Sequence, residues 1–138
     1  MPSTGDIYFH KSFKFKDGTT GEKLFVILNE PELTRNEPYL VVKTTSKLKK
    51  ENLKEGCNPQ ARGFFVQSKK DVFDLDTLIQ LTDIYEFDAG ALIRDGINRF
   101  LFHKGTLSQL TVTQIINCLK KLKEDISVKH FEMIMRSR

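Results

Sequence analysis

The hydrophobic pattern of the chain changes period once. Up to about residue 105 the apolar residues come in short runs of strand length, or alternate with polar ones; beyond it they recur at helical spacing. The sharpest run is Leu24-Phe25-Val26-Ile27-Leu28, which reads as a central strand buried on both sides. Ile7-Tyr8-Phe9 reads as a first strand, and His10 to Lys16 alternates apolar with basic residues as a strand end or an extended loop with one wet face. Asp17-Gly18-Thr19-Thr20-Gly21 is a turn cluster. Asn29 to Pro38 is a polar loop holding two prolines, followed by a third strand, Tyr39 to Val42, that runs out through Lys43-Thr44-Thr45.

Residues 46–63 form the longest irregular stretch, after which Gly63 to Val66, Leu78 to Leu81, Ile84 to Phe87 and residues 97–105 are further strand candidates. Then Val112, Ile115, Ile116, Leu119 and Leu122 mark one face of a helix, with Thr111 and Gln114 in capping-box relation at its start. After Ser127 a second short helix, or a bent continuation, would turn Phe131 and Ile134 inward. Many strands followed by one main helix predict a small, mostly β barrel with α structure appended: barrel over about 5–105, helical segment over about 111–135. A length of 138 residues suits one domain spanning 1–138.

Composition narrows the class. With 39% hydrophobic and 29% charged residues the balance is that of a soluble globular chain, and no apolar run approaches the roughly 18 residues of a membrane-spanning helix. The N-terminus lacks the basic-then-apolar layout of a secretory signal, so a cytoplasmic protein without membrane contact is expected. Cys57 and Cys118 lie 61 positions apart, which predicts two free thiols in a reducing compartment, Cys118 in a buried helix and Cys57 in a polar loop. The net charge of +4 is uneven: +5 over residues 1–70, −6 over 71–98 and +5 over 99–138. Such a pattern permits a positive face toward nucleic acid.

The chain carries no phosphate-binding Gly-rich loop, no Gly-x-Ser-x-Gly elbow and no paired histidines at metal-ligand spacing, so neither cofactor nor metal is expected. His10, His103 and His130 are isolated, and the acids at 71–76 read as a solvated turn. Two features point to chemistry. Lys23 begins one strand and Thr44-Thr45 end the next, so in a small barrel a cation and hydroxyls converge as a phosphodiester grip requires. The segment from Lys43 to Lys54 holds five lysines against one glutamate, beside a loop with Arg62, and could track a nucleic-acid backbone.

The order of motifs resembles the MazF/PemK family of toxin endoribonucleases from toxin–antitoxin systems. The residues that carry the resemblance are Gly5-Asp6-Ile7-Tyr8-Phe9, Lys23 to Leu28 after a turn with Gly18 and Gly21, Val41 to Thr45, Leu78 to Ile84, and Gly105-Thr106-Leu107-Ser108, over about residues 5–123. The resemblance implies a compact SH3-like barrel, a homodimer, and cleavage of single-stranded RNA such as mRNA without metal. The 2′-OH is the nucleophile, leaving a 2′,3′-cyclic phosphate and a 5′-OH. It also implies a cognate antitoxin protein whose tail blocks the RNA groove. Carried over by position, Lys23 stands where the family has a phosphate-stabilising arginine, and Thr45, or Thr44, supplies the hydroxyl. His10 is a candidate general acid–base in the first loop; Lys14, Lys16, Lys43, Lys47, Lys49, Lys50 and Arg62 are candidates for the RNA backbone. Gln80-Leu81-Thr82-Asp83 lacks a second arginine that some members carry, and Asp83 is a shifted match to their aspartate. Lysine keeps the charge but loses the planar fork of arginine. The alternative is therefore a catalytically weakened or inactive barrel dimer that binds nucleic acid or a protein partner.

Overall fold

Seven antiparallel strands form one sheet in a computed structural model that describes residues 2–48 and 52–137. They are β1 (Asp6–Lys14), β2 (Thr20–Ile27), β3 (Tyr39–Thr45), β4 (Gly56–Asn58), β5 (Gly63–Val66), β6 (Thr77–Phe87) and β7 (Leu101–Thr106), in the sheet order β4-β5-β6-β3-β2-β1-β7. Three helices accompany them: α1 (Ala89–Ile97), α2 (Gln109–Lys121) and α3 (Val128–Arg136). The protein is thus mostly β, a barrel-like fold with helices.

The unbroken run in β2 is buried on both faces because the sheet separates two cores. Val26 and Leu28 point into the larger one, with Ile7, Val42, Phe64 and Ile79 from other strands and Ile115, Ile116 and Leu119 of α2. Ile7 on β1 and Phe64 on β5 share this core although three strands lie between them, so the sheet curls around α2. Met133 and Ile134 of α3 close it, with Phe131 packed against its edge. Phe25 and Ile27 point the other way, into a smaller, aromatic core with Phe13, Tyr39, Tyr85 and Leu92 of α1. Each such side chain, fully buried, contributes about 1.5–3 kcal/mol. Gly5 opens β1 at φ +91, and a Cβ there would lie 2.8 Å from Val112 Cγ2, so the turn that docks the N-terminus onto α2 needs glycine.

Several elements depart from the sequence pattern. His10 to Lys14 continue β1 past a register shift, so His10 lies in a strand rather than a loop. The candidates at 78–81 and 84–87 are one strand, β6, interrupted by a bulge. Residues 97–105 do not form a single strand: α1 ends at Ile97, and β7 begins at Leu101. The cap of α2 is Ser108, whose Oγ accepts from the Thr111 N–H, three residues ahead of the expected start. Beyond α2 the chain forms a separate helix, α3, capped by Ser127. The irregular stretch 46–63 contains β4.

The two cysteines are not free thiols. Cys57 on β4 and Cys118 on α2 form a disulfide, their Cα atoms 5.5 Å apart. Cys57 is half-buried in a strand, not exposed in a loop. Spacing misleads here because β4 is the sheet edge that the curled sheet brings against α2, and this proximity has no trace in a separation of 61 residues. The acids at 71–76 are not merely solvated. Asp71 accepts from the Ser108 N–H (2.8 Å) and the Thr111 hydroxyl (2.9 Å), and Asp76 accepts from the Ser68 N–H (2.8 Å). Among the described residues no helix is long and apolar enough to cross a membrane.

Candidate nucleic-acid interface

Strand register decides which charged side chains meet. Tyr8 pairs with Phe25 and His10 with Lys23 across β1 and β2; Phe25 pairs with Lys43 across β2 and β3. Residues directly opposite share a face, so Lys23 and Lys43 stand on the aromatic-core face, and the same register continued two residues sets Lys23 against Thr45. Along β6 the pairing jumps from Val42–Ile84 to Thr44–Ile79. The four residues Gln80 to Asp83 therefore bulge opposite Lys43.

That bulge aims Asp83 at the lysines. Its carboxylate accepts from Lys16 Nζ (2.6 Å) and from Lys43 Nζ. Both ammonium groups also approach the Tyr85 ring, Lys16 at 4.7 Å and Lys43 at 5.8 Å from its centroid. Partial burial pushes the Asp83 carboxyl up, but the hydrogen bonds and charges of Lys16 and Lys43 outweigh it and hold the group below the ordinary carboxylate range.

Lys23 is treated differently. It is half-buried, and no described carboxylate pairs with it. Burial first, then the like charges of Lys43 and Lys47, push its ammonium below the ordinary lysine value. Thr45 Oγ1 accepts from the Lys47 N–H (3.2 Å) and keeps its own proton to donate. Lys16 and Lys43 thus meet Asp83 and Tyr85, while Lys23 feels the charges of Lys43 and Lys47 and faces Thr45 in the continued register. A cavity of about 560 Å³ opens beside Lys23, with Phe9, Leu24, Phe73 and Leu75 among its walls.

The other candidates lie apart from this cluster. Thr44 is 5% exposed, and its hydroxyl donates to the Leu24 carbonyl (3.0 Å), fastening β3 to β2. His10 opposes Lys23 in register, yet its ring is held toward α1: Nδ1 accepts from the Ser12 N–H (2.9 Å) and Nε2 meets Asp95 at 2.8 Å. An accepting Nδ1 leaves the proton on Nε2, so both nitrogens are engaged. Lys14 lines a separate cleft with His10 and Asp95. Arg62, at φ +52 after the turn that follows β4, directs its Nε to Asp125 at 3.7 Å. Lys49 and Lys50 lie outside the described residues.

The sequence reading missed Tyr85 and Lys104, which also lines the cavity, as parts of this surface. A break in alternation between Leu81 and Ile84 was the available signal for the bulge and for Asp83. No protein-family model matches the chain, and no curated protein matches it.

Proposed function

We propose that the protein is a MazF-like toxin endoribonuclease that cuts single-stranded RNA without a metal. The observation that carries this reading is Lys23: a half-buried cation with no carboxylate partner among the described residues, its charged form penalised by burial and by Lys43 and Lys47. A phosphodiester entering there relieves the penalty that the folded chain otherwise bears. Lys23 would stabilise the charge that builds on the phosphoryl oxygens as the 2′-oxygen attacks phosphorus and the bond to the 5′-oxygen breaks. Thr45 would donate its hydroxyl to a non-bridging oxygen, and Lys16, Lys43 and Lys47 would hold the flanking backbone. Thr44, His10, Lys14 and Arg62 have no part in this arrangement, because the first two are internally bonded and the others face elsewhere.

A homodimer fits the same reading. Ile93 and Ile97 are exposed on α1, Ile97 at 75%, and with Pro2, Tyr8 and Leu101 they border an apolar groove of about 380 Å³. A second copy is its proposed occupant, and a cognate antitoxin tail would compete with RNA for the lysine cluster. The cytoplasm, where mRNA lies, is the proposed location, and there the Cys57–Cys118 bond stands against a reducing thiol pool.

One observation favours the alternative, a barrel that binds RNA without cutting it: both His10 nitrogens are engaged, which leaves the cluster no imidazole for proton transfer. The deciding experiment incubates the protein with a long single-stranded RNA in EDTA and maps the 5′ ends. Discrete cuts that disappear in Lys23→Ala and Thr45→Ala support the nuclease. Salt-sensitive binding of intact RNA supports the alternative, and absence of binding at low salt refutes both.

A further inference from the structure

The cavity of about 560 Å³ opens at one end of the larger core, between the sheet and residues 72–77. Its floor is Ile7 and Phe73, both members of that core, with Leu24 packed against it. Side chains alternate along β2, so Glu22 and Leu24 share the face opposite the one that carries Lys23 and Phe25. Lys16, Lys43 and Asp83 do not line the space, which is therefore distinct from the place where those charges meet. It is the mouth of the curled sheet, a common position for ligand sites, and its volume falls within the roughly 300–1,000 Å³ of small-molecule pockets.

One wall is fixed in advance. Lys69 (φ +65) and Asp71 (φ +52) both take the left-handed conformation without being glycine, a strain that surrounding contacts must maintain. Asp71 is tied to the first turn of α2 through Ser108 and Thr111. Val72 packs so closely on Gly105 that a Cβ there would overlap Val72 Cγ1. Asp76 accepts from the Ser68 N–H, and the Thr77 hydroxyl donates to the Leu75 carbonyl. The outcome is Leu75 held 63% exposed at the cavity, with Phe73 buried behind it. An apolar side chain already held in place covers an entering ligand at little further cost in ordering. The charges are arranged as deliberately. Asp71 and Asp76 are consumed in holding the wall, whereas Asp74 between them makes no hydrogen bond or ion pair among the described residues, and neither does Glu22 on β2. Lys104 also borders the space but is paired with neither, its Nζ standing 5.7 Å from the centre of the Phe9 ring. Two carboxylates without cations beside apolar walls match an ammonium group on an apolar body; a carboxylate or phosphate would be repelled there.

We propose that this cavity is a binding site for a small organic amine. The apolar body fills the space over Ile7, Leu24 and Phe73, Leu75 covers it, and the ammonium group donates to Glu22 and Asp74. The inference does not rest on the RNA reading, because the ligand and the proposed phosphate occupy opposite faces of the sheet.

The test uses three probes that share one apolar body: phenylbutylamine, phenylbutanol and phenylbutanoate. Each is titrated into nitrogen-15-labelled protein at about pH 7, where the amine and the carboxylates are charged, and binding is read from amide shifts. The amine is expected to move the Leu24, Phe73 and Leu75 amides and to bind about 2- to 30-fold more tightly than the alcohol, the range that two exposed ion pairs allow. The carboxylate is expected to bind most weakly. Glu22→Gln/Asp74→Asn, both at exposed positions, is expected to bring amine and alcohol together without weakening the alcohol. Leu75→Ser is expected to weaken both alike. Equal binding of amine and alcohol by the intact protein, an unchanged preference in the double variant, or no saturation by the amine up to about 10 mM overturns the proposal. So do shifts confined to Ile93 and Ile97, which would place the amine in the groove of α1. None of these readouts involves RNA, so this inference and the RNA reading stand or fall separately.

Discussion

Opening the Cys57–Cys118 bond is the perturbation with the most calculable outcome. The bond closes a loop of 61 residues in the unfolded chain. The chain-entropy relation assigns such a loop about 4 kcal/mol, and measured bonds typically deliver roughly 2–4 kcal/mol. Unfolding entropy near 2.1 cal/mol/K per residue gives a chain of 138 residues about 0.29 kcal/mol/K. Each kcal/mol lost thus lowers Tm by about 3.5 °C, and reduction should lower it by about 7–14 °C. Calorimetry with and without a dithiol reductant measures this, with Cys57→Ser/Cys118→Ser as the control that melts alike in both buffers. The damage should begin locally. Among the described residues β4 is only three long and pairs with β5 alone, so the Gly56–Asn58 amides should lose exchange protection before the rest of the sheet. Two titratable thiols in the unreduced, unfolded protein, or melting within 1–2 °C in both redox states, would refute the reasoning.

Three further outcomes follow from the charged and apolar surfaces. Bound phosphate should return Lys23 toward the ordinary lysine pKa of about 10.4, so binding takes up a proton and affinity should fall as pH rises through the lowered value. Over that window stability should rise, because the folded chain holds fewer protons than the unfolded one; Lys23→Arg should abolish both trends in binding titrations and melts from pH 8 to 10.5. Asp83→Asn frees Lys16 and Lys43, so RNA should bind more tightly, with the slope of log K against log salt steeper by about one to two. The same variant should lose acid sensitivity, because a carboxyl lowered in the folded state stabilises above its unfolded pKa of about 3.9 and ceases to do so as pH falls through its folded value. Ile97→Asp should convert the proposed dimer to the 16.0 kDa monomer in sedimentation velocity while leaving Tm within about 1–2 °C, since Ile97 is outside both cores.

What was legible in the residues was whatever burial writes as a pattern. Leu24 to Leu28 announces a central strand because Val26 and Leu28 serve one core while Phe25 and Ile27 serve the other. Val112, Ile115, Ile116 and Leu119 announce α2 because all four face one core. α1 was illegible for the converse reason. It buries only Leu92, turns Ile93 and Ile97 outward, and carries Gly90 and Gly96, which weaken any helical signal. Its one cue was Asp88, whose carboxylate accepts from the Ala91 N–H. Lys23 and Thr45 were legible as the ends of adjoining strands. Their division from Thr44 was not, because one step along a strand reverses the face and only register shows which hydroxyl is consumed by the Leu24 carbonyl. The disulfide, the bulge at Gln80 to Asp83 and the ring of His10 turned toward Asp95 are tertiary events between distant residues.

The two faces of the sheet also explain why the cations collect where they do. The larger core is covered by α2 and α3. The aromatic core is covered by α1 at one end, while at the other it gives way to Tyr85, Lys43 and Lys16. A lysine at such a boundary loses hydration on its inner side and needs an anion in exchange. Asp83 supplies one, and the bulge that delivers it costs ladder hydrogen bonds in β6. It satisfies Lys16 and Lys43 but does not reach Lys23, whose charge remains disfavoured. A purely structural arrangement would place a second carboxylate there or replace Lys23 by a neutral residue. Keeping the cation, with Thr45 opposite it, disfavours the charged form in the free protein and favours an incoming anion. That balance is what the proposed anion-binding role requires, and it holds whether the proposed RNA is cut or only bound.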